Sequence, residues 1–502
     1  MLGSLRKPMQ NLRSHLTGLC DTTKKELVMS GNNRLNFAPV ASVCAAFLAG
    51  MVTLAPAPGL AQAVFDGSKA RVNLAGKLRS LTQQVTSASC RLTAQIDMDN
   101  AREELRVSLE DFATILGGLE NGNLTLGIPS AERSRRALKA LKGVKDTWDP
   151  VRTASTNILA NAGSAADLAV IAGANEALKE ATIVLSTEIT GEYTNPQELL
   201  QSDAMSIGIA GRQSMLANQI ATNVCGIATK TTALGTPADL TETVGVFQVS
   251  LAALQTGLPD AGINPPPNDA IKNELAAVSK IWEAKQSDLL ALSSADSISP
   301  EGVAATAEFA HTLMDDMQNV VTLYMLSTPG QEDVYRVPLA AYAENELKKW
   351  LSNPELIQAI NEQNVRHASL SQADIDQLDL DWRAQRKAGG GDLITDLLSR
   401  PSSEWLRQQS AATAGFVTEV FVMDNRGLNV AQSVETSDYW QGDEGKWQNT
   451  FGDGSGNMDI SEVEFDDSTQ FYQSQASLPI YDPATGQMIG AITFGINVQR
   501  LL

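Results

Sequence analysis

The side chains that most often carry out chemistry are scarce here: the 502 residues include three His and four Cys. His311 and His367 lie 56 positions apart with no H-E-x-x-H spacing, and no G-x-S-x-G pattern frames a nucleophilic serine. A zinc or Cys-His centre needs converging ligands, and these residues supply no recognisable set. Asp453 to Glu464 imitates a calcium loop in its acidic positions, but Met458 stands where the sharp turn requires Gly. We therefore expect no enzyme, no metal and no cofactor. With 38 Lys and Arg against 58 Asp and Glu the formal charge is −20, which argues against a nucleic-acid partner.

Position makes the cysteines more informative. Cys20 and Cys44 belong to a segment with the order of an export signal: Arg34, an apolar run over 37–54, Pro56 and Pro58, then Ala61-Gln62-Ala63. Cleavage is expected between Ala63 and Val64, placing the mature chain in the periplasm, with a retained membrane anchor as the alternative. Removal of residues 1–63 leaves 32 basic and 56 acidic residues and two cysteines, Cys90 and Cys225. In an exporting compartment these are expected to form a disulfide, the alternative being two buried thiols.

Cys90 and Cys225 are 135 residues apart, and that spacing recurs. It relates Leu74-Ala75-Gly76-Lys77 to Ile209-Ala210-Gly211-Arg212, Phe112 to Phe247, Leu116 to Leu251, Gly122 to Gly257 and Gly127-Ile128 to Gly262-Ile263. After a one-residue deletion Val144 and Trp148 meet Val278 and Trp282. Residues 64–199 and 200–335 therefore read as two copies of one unit. Apolar residues at steps of three and four, such as Leu74, Leu78, Leu81 and Val85, make the unit a helical bundle. Helix starts are expected at Asp149-Pro150, Asn195-Pro196 and Ser299-Pro300.

The carboxy-terminal third has another composition. Residues 336–410 read as further helices, including a long one, with Gly389-Gly390-Gly391 as a break. Strand patterns then run over 418–423, 428–433, 458–465, 470–478 and 488–498, giving a five-stranded antiparallel sheet over 411–502 with a short helix near 443–449. The fold class is thus mainly α, two duplicated antiparallel helical bundles, with a carboxy-terminal α+β domain.

Gly76-Lys77-Leu78-Arg79-Ser80-Leu81-Thr82-Gln83-Gln84, and more closely Ala210-Gly211-Arg212-Gln213-Ser214-Met215-Leu216, resemble the first-helix signature of the type IV pili methyl-accepting chemotaxis transducer N-terminal domain. That helical family includes nitrate- and nitrite-sensing input domains, in which an Arg three residues after the Gly binds the anion at a dimer interface. The resemblance implies an anion site at Arg79, Gln83 and Ser214, with the two copies replacing two subunits and Ser214 standing where a second Arg would be. At 100° per residue, Lys77 and Arg212 point roughly 160° away from Arg79's face and are not expected to substitute.

Val422-Met423-Asp424-Asn425-Arg426-Gly427, the stretch Asp438 to Trp447 and Pro479-Ile480-Tyr481-Asp482 resemble a single Cache (PAS-like) sensor domain. The resemblance implies a small-molecule pocket, for which Tyr439, Trp440, Trp447 and Tyr472 are the aromatic candidates and Asp443 and Asp482 the polar ones. Together the resemblances imply a periplasmic small-ligand or anion sensor without its own output domain, working through a membrane histidine kinase or chemoreceptor. A ligand-independent envelope scaffold is the alternative.

Overall fold

The apolar rows form eight long helices in the computed structural model, which describes residues 67–501 apart from 162–163, 195–200, 260–261, 328–332, 334, 414 and 467–470. The first copy comprises α1 (Ser68–Thr93), α2 (Met98–Asn121), α3 (Arg135–Asn161) and α4 (Ala165–Tyr193). The second comprises α5 (Gln201–Thr229), α6 (Pro237–Thr256), α7 (Asp269–Leu292) and α8 (Pro300–Leu326). The expected export signal, including Cys20, Cys44, Ala63 and Val64, lies outside the described residues, as does the helix start at Asn195-Pro196.

Local chemistry sets the other boundaries. Ser299 caps α8 by accepting from the Gly302 N–H, and Thr236 and Asp239 form a reciprocal capping box on α6. The expected start at Asp149-Pro150 is corrected: Pro150 lies inside α3. Its ring denies a carbonyl one turn earlier its N–H, a loss that water can make good because Pro150 and Asp146 are both exposed.

The duplication is visible in three dimensions. Phe112 stacks on Trp148 with centroids 3.8 Å apart, and Phe247 stacks on Trp282 at 4.2 Å. Gly122 and Gly257 end equivalent helices at φ of 80° and 79°, a conformation that disfavours any side chain, and each opens a turn closed by one β-bridge, Asn123 to Ile128 and Leu258 to Ile263. The copies meet along α1 and α5, which run parallel. Asn218 donates to Ser80 Oγ at 3.0 Å, Thr222 donates to the Gln83 carbonyl at 3.1 Å, and Cys90 is disulfide-bonded to Cys225 with Cα atoms 6.4 Å apart. Residue numbers rise together along this seam, so equivalent positions oppose one another.

Five helices then lead to the sheet: α9 (Arg336–Asn345), α10 (Pro354–Arg366), α11 (Gln372–Lys387), α12 (Asp392–Ser399) and α13 (Pro401–Ala412). The single long helix expected here is not formed, because Asn353-Pro354, Ser371, the glycines at 389–391 and Arg400-Pro401 each interrupt it. The strands are β1 (Val417–Met423), β2 (Asn429–Gln432), β3 (Asp459–Ile460), β4 (Glu464–Asp466), β5 (Phe471–Tyr481) and β6 (Met488–Asn497), followed by the helical turn Val498–Leu501. All pairings are antiparallel in the order β2-β1-β6-β5-β3, with β4 also on β5. There are six strands rather than five because the run expected over 458–465 is split into β3 and β4.

The sheet domain packs at the end of the bundle where α1 begins and α8 finishes. α9 lies on the Leu124–Leu126 turn of the first copy, Lys69 Nζ donates to the Met325 carbonyl, and Gln499 Nε2 donates to Asn319 Oδ1. Beside that contact Glu274 of α7 bonds Asn319 and faces Asp316, whose Oδ2 is buried without a partner among the described residues. Burial, then Glu274 and Asp315, push the Asp316 carboxyl up to about 6, and burial raises Glu274 as well.

Two outcomes are expected. The disulfide closes a separation of 135 residues, which in the chain-entropy model stabilises by about 5 kcal/mol; the double variant Cys90→Ser, Cys225→Ser should unfold at much lower urea. Equal urea midpoints would show that the cross-link contributes nothing. For Asp316 the folded pKa lies above the unfolded one, so its stabilising effect is complete below about 4 and is lost as pH rises through about 6. Asp316→Asn should therefore raise the melting temperature at neutral pH and leave it nearly unchanged at pH about 4, as checked by thermal unfolding across that range.

Candidate functional site

α1 is buried along almost its whole length and yet carries Lys69, Arg71, Arg79 and Arg91, all at most 9% exposed. Cations withdrawn from water need compensation. Arg71 pairs with the buried Glu132 at 3.4 Å and lies over the Tyr193 ring, and Arg91 pairs with Asp97 at 3.2 Å and with Glu104. Arg79 is treated differently. Its Nη2 donates to the Gly208 carbonyl at 3.1 Å and its Nε to Gly76 at 3.4 Å, and no carboxylate pairs with it among the described residues.

Glycine makes the space. A Cβ on Gly76 would stand 3.3 Å from Arg79 Nη2 and one on Gly211 3.8 Å, so the guanidinium lies in the gap between two equivalent glycines. Burial, with added repulsion from Arg212, draws the Arg79 pKa down to about 10, and burial lowers Arg212 as well. This corrects the angular expectation for Arg212. That reasoning treated a single helix, whereas Arg212 approaches from the opposing helix, one position after the glycine against which Arg79 rests.

The other residues of the expected anion site share the seam without touching the guanidinium. Gln83 donates to Asn175 of α4 at 3.1 Å and leaves its buried Oε1 without a partner among the described residues, while Ser214 accepts from Gln318 of α8 at 3.3 Å. Helical side chains lean toward their own N-terminus, which carries Arg79 a turn away from both. Gly208 was missed from sequence and Arg212 was set aside; their signal is the spacing Gly208-x-x-Gly211-Arg212. The arrangement presents two incompletely solvated positive charges, neither paired with a carboxylate among the described residues, which is chemistry suited to a small anion.

The six residues expected to line a pocket in the sheet domain fall into separate places. Tyr439 is 2% exposed and stacks on Trp382 at 5.5 Å, next to Trp440, whose indole donates to the Arg426 carbonyl. Trp447 packs with Phe451 against Phe421, Met423 and Ala491 and donates to the Asp424 carbonyl. Tyr472 packs on Phe465 near Glu274 at the bundle junction. Asp443 is exposed, and Asp482 closes the 482–487 turn while accepting from Asn361 at 3.1 Å. The six are thus distributed over different clusters, with Trp440 and Trp447 both donating to the 424–427 turn. An open cleft of about 580 Å³ lies instead beside α11, lined by Arg383, Arg386, Lys387, Glu435, Ser437 and Asp438. There Arg383 pairs with Asp438 at 3.0 Å and Arg386 with Glu435 at 3.2 Å, so its cations are largely neutralised.

The family model described as type IV pili methyl-accepting chemotaxis transducer N-term matches residues 62–173 and 198–307. No curated protein matches the chain. Among solved structures, the V. cholerae histidine kinase DctB sensor domain is similar at 12% identity and a TM-score of 0.16, covering 29% of this chain and 57% of that one. The two family matches begin 136 residues apart and coincide with the duplicated helices that form the seam. Residues 62–173 and 198–307 are thus two tandem type IV pili methyl-accepting chemotaxis transducer N-terminal domains.

Proposed function

We propose that the chain is a periplasmic sensor that holds a small inorganic anion in the α1–α5 seam and reports its presence to a membrane histidine kinase or chemoreceptor. The observation that carries this reading is Arg79, a buried guanidinium bonded to backbone carbonyls and repelled by Arg212, with no carboxylate paired to it among the described residues. An anion between the two guanidiniums would cancel their repulsion and favour the seam geometry in which both approach it. A ligand shifts an equilibrium by its differential affinity for two states, and an anion has that differential here. The shift reaches the sheet domain through contacts at the base of the bundle, Lys69 to Met325 and Asn319 to Gln499. The export pattern over residues 37–63 supports the periplasmic placement, and the transducer domains support a membrane signalling partner.

Nitrate, nitrite and small carboxylates titrated into the purified chain test the reading by thermal unfolding. At about one hundred times its dissociation constant, the recognised anion should stabilise the chain by about 2.7 kcal/mol. Arg79→Ala should abolish that response without lowering the melting temperature in anion-free buffer, since it removes a buried charge lacking a countercharge. A lowered melting temperature with the anion response retained would make Arg79 structural. No response of the unaltered chain to any of these anions would overturn the reading.

A further inference from the structure

The surface of the first copy carries a basic patch that the anion site does not use. In a chain of net charge −20, the stretch 133–145 holds Arg133, Arg135, Arg136, Lys139, Lys142 and Lys145 and no acidic residue. At 100° per residue Arg135, Lys139 and Lys142 share one face of α3 with Leu138, which is 37% exposed. Arg133, Arg135 and Lys139 have no carboxylate partner among the described residues, and Lys142 has an exposed one, Asp146 at 2.5 Å. Three arginines at the start of α3 also oppose the helix dipole, which favours anions there. α3 and α4 are antiparallel neighbours, and counting equally from their connection sets Val184, 43% exposed, level with Lys142.

The internal duplication shows what this surface lacks. The positions in α7 that correspond to Arg135, Arg136, Lys139 and Lys142 are Asp269, Ala270, Asn273 and Ala276, and Val184 corresponds to Asn319. In the second copy this region is next to the sheet domain: Asn319 accepts from Gln499, and Glu274 acts on Tyr472. The same region of the first copy is bare and basic. The sheet domain has the complementary charge, since residues 415–502 contain thirteen Asp and Glu against three Lys and Arg. Its β3–β4 edge exposes Glu464 and Phe465, the last 38% exposed, and Glu462, an exposed carboxylate that also pairs with Arg336 at 2.5 Å.

We propose that the face of α3 formed by Arg135, Leu138, Lys139 and Lys142 docks the acidic β3–β4 edge of a second copy of this chain, in a reciprocal two-fold dimer. Both surfaces lie toward the same end of the bundle, so one rotation supplies two identical contacts, as closed symmetry requires. Leu138 and Val184 provide apolar area opposite Phe465, and the charges set orientation and association rate. The inference is independent of the anion reading, because neither surface includes Arg79 or Arg212.

The test is sedimentation of the chain as purified from the cell envelope, at roughly 50 mM and 0.5 M salt, since screening weakens exposed charge contacts. A dimer is expected at low salt, with dissociation at high salt. The variant Arg135→Glu, Lys139→Glu, Lys142→Glu should sediment as a monomer, and so should Glu462→Lys, Glu464→Lys, each with an unchanged circular dichroism spectrum. Mixing the two variants in equal amounts should restore the dimer, since only the mixed pair then opposes unlike charges at both contacts. A monomer at low salt, or a dimer that ignores both reversals, would overturn the proposal. So would a monomer that floats with vesicles containing about one-third anionic phospholipid and loses that binding in the basic-face variant, which would assign the patch to a membrane surface.

Discussion

The structure depends on the parallel approach of α1 and α5. A helix buried on every side is ordinarily apolar throughout, but α1 places Arg79, Gln83, Thr86 and Ser87 in the interior beside Leu78, Leu81 and Val85. Apolar surfaces can slide past one another at little cost, whereas buried polar groups must meet particular partners. Ser80 with Asn218, Gln83 with Thr222, and Thr86 with Asn175 therefore fix the register of α1 against both α5 and α4. The disulfide holds the same register at the far end of the seam. With that register set, the two four-helix units share the α1–α5 seam, and the carboxy-terminal domain packs at the end where α1 begins and α8 finishes.

Much of this was legible in the sequence because duplication repeats a message. Apolar and glycine positions recurring at 135 residues carry fold information twice, so the turns at Gly122 and Gly257 and the pairing of Cys90 with Cys225 could be anticipated from identical spacing. Pro150 misled because proline is a start signal by local rules, yet an exposed helix face tolerates it when tertiary packing on both sides holds the helix together. The split between β3 and β4 and the separation of Tyr439, Trp447 and Tyr472 were not legible. These depend on how long loops return to the sheet, and no periodicity encodes that path. Arg212 was misplaced for a related reason: a helical wheel describes one helix, and the site is made by two.

The duplicated copies also differ in an orderly way. The four buried cations of α1, Lys69, Arg71, Arg79 and Arg91, correspond to Ala204, Ser206, Ser214 and Gly226 in α5. In a symmetric dimer of identical helices, an Arg on one would meet the same Arg on the other, and two buried like charges would oppose closure. Fusion of both copies into one chain allows a large cation on one side to lie against a small residue on the other, so the helices can close without a ligand between each pair. Glu132 then neutralises Arg71, and Asp97 and Glu104 neutralise Arg91. Arg79, whose equivalent is Ser214, rests its guanidinium between Gly76 and Gly211 and has Arg212 as its charged neighbour. The seam is therefore free of uncompensated charge at the levels of Arg71 and Arg91, whose partners belong to the first copy, is cross-linked at the disulfide, and is electrostatically incomplete at the level of Arg79, where an anion-dependent change would be centred.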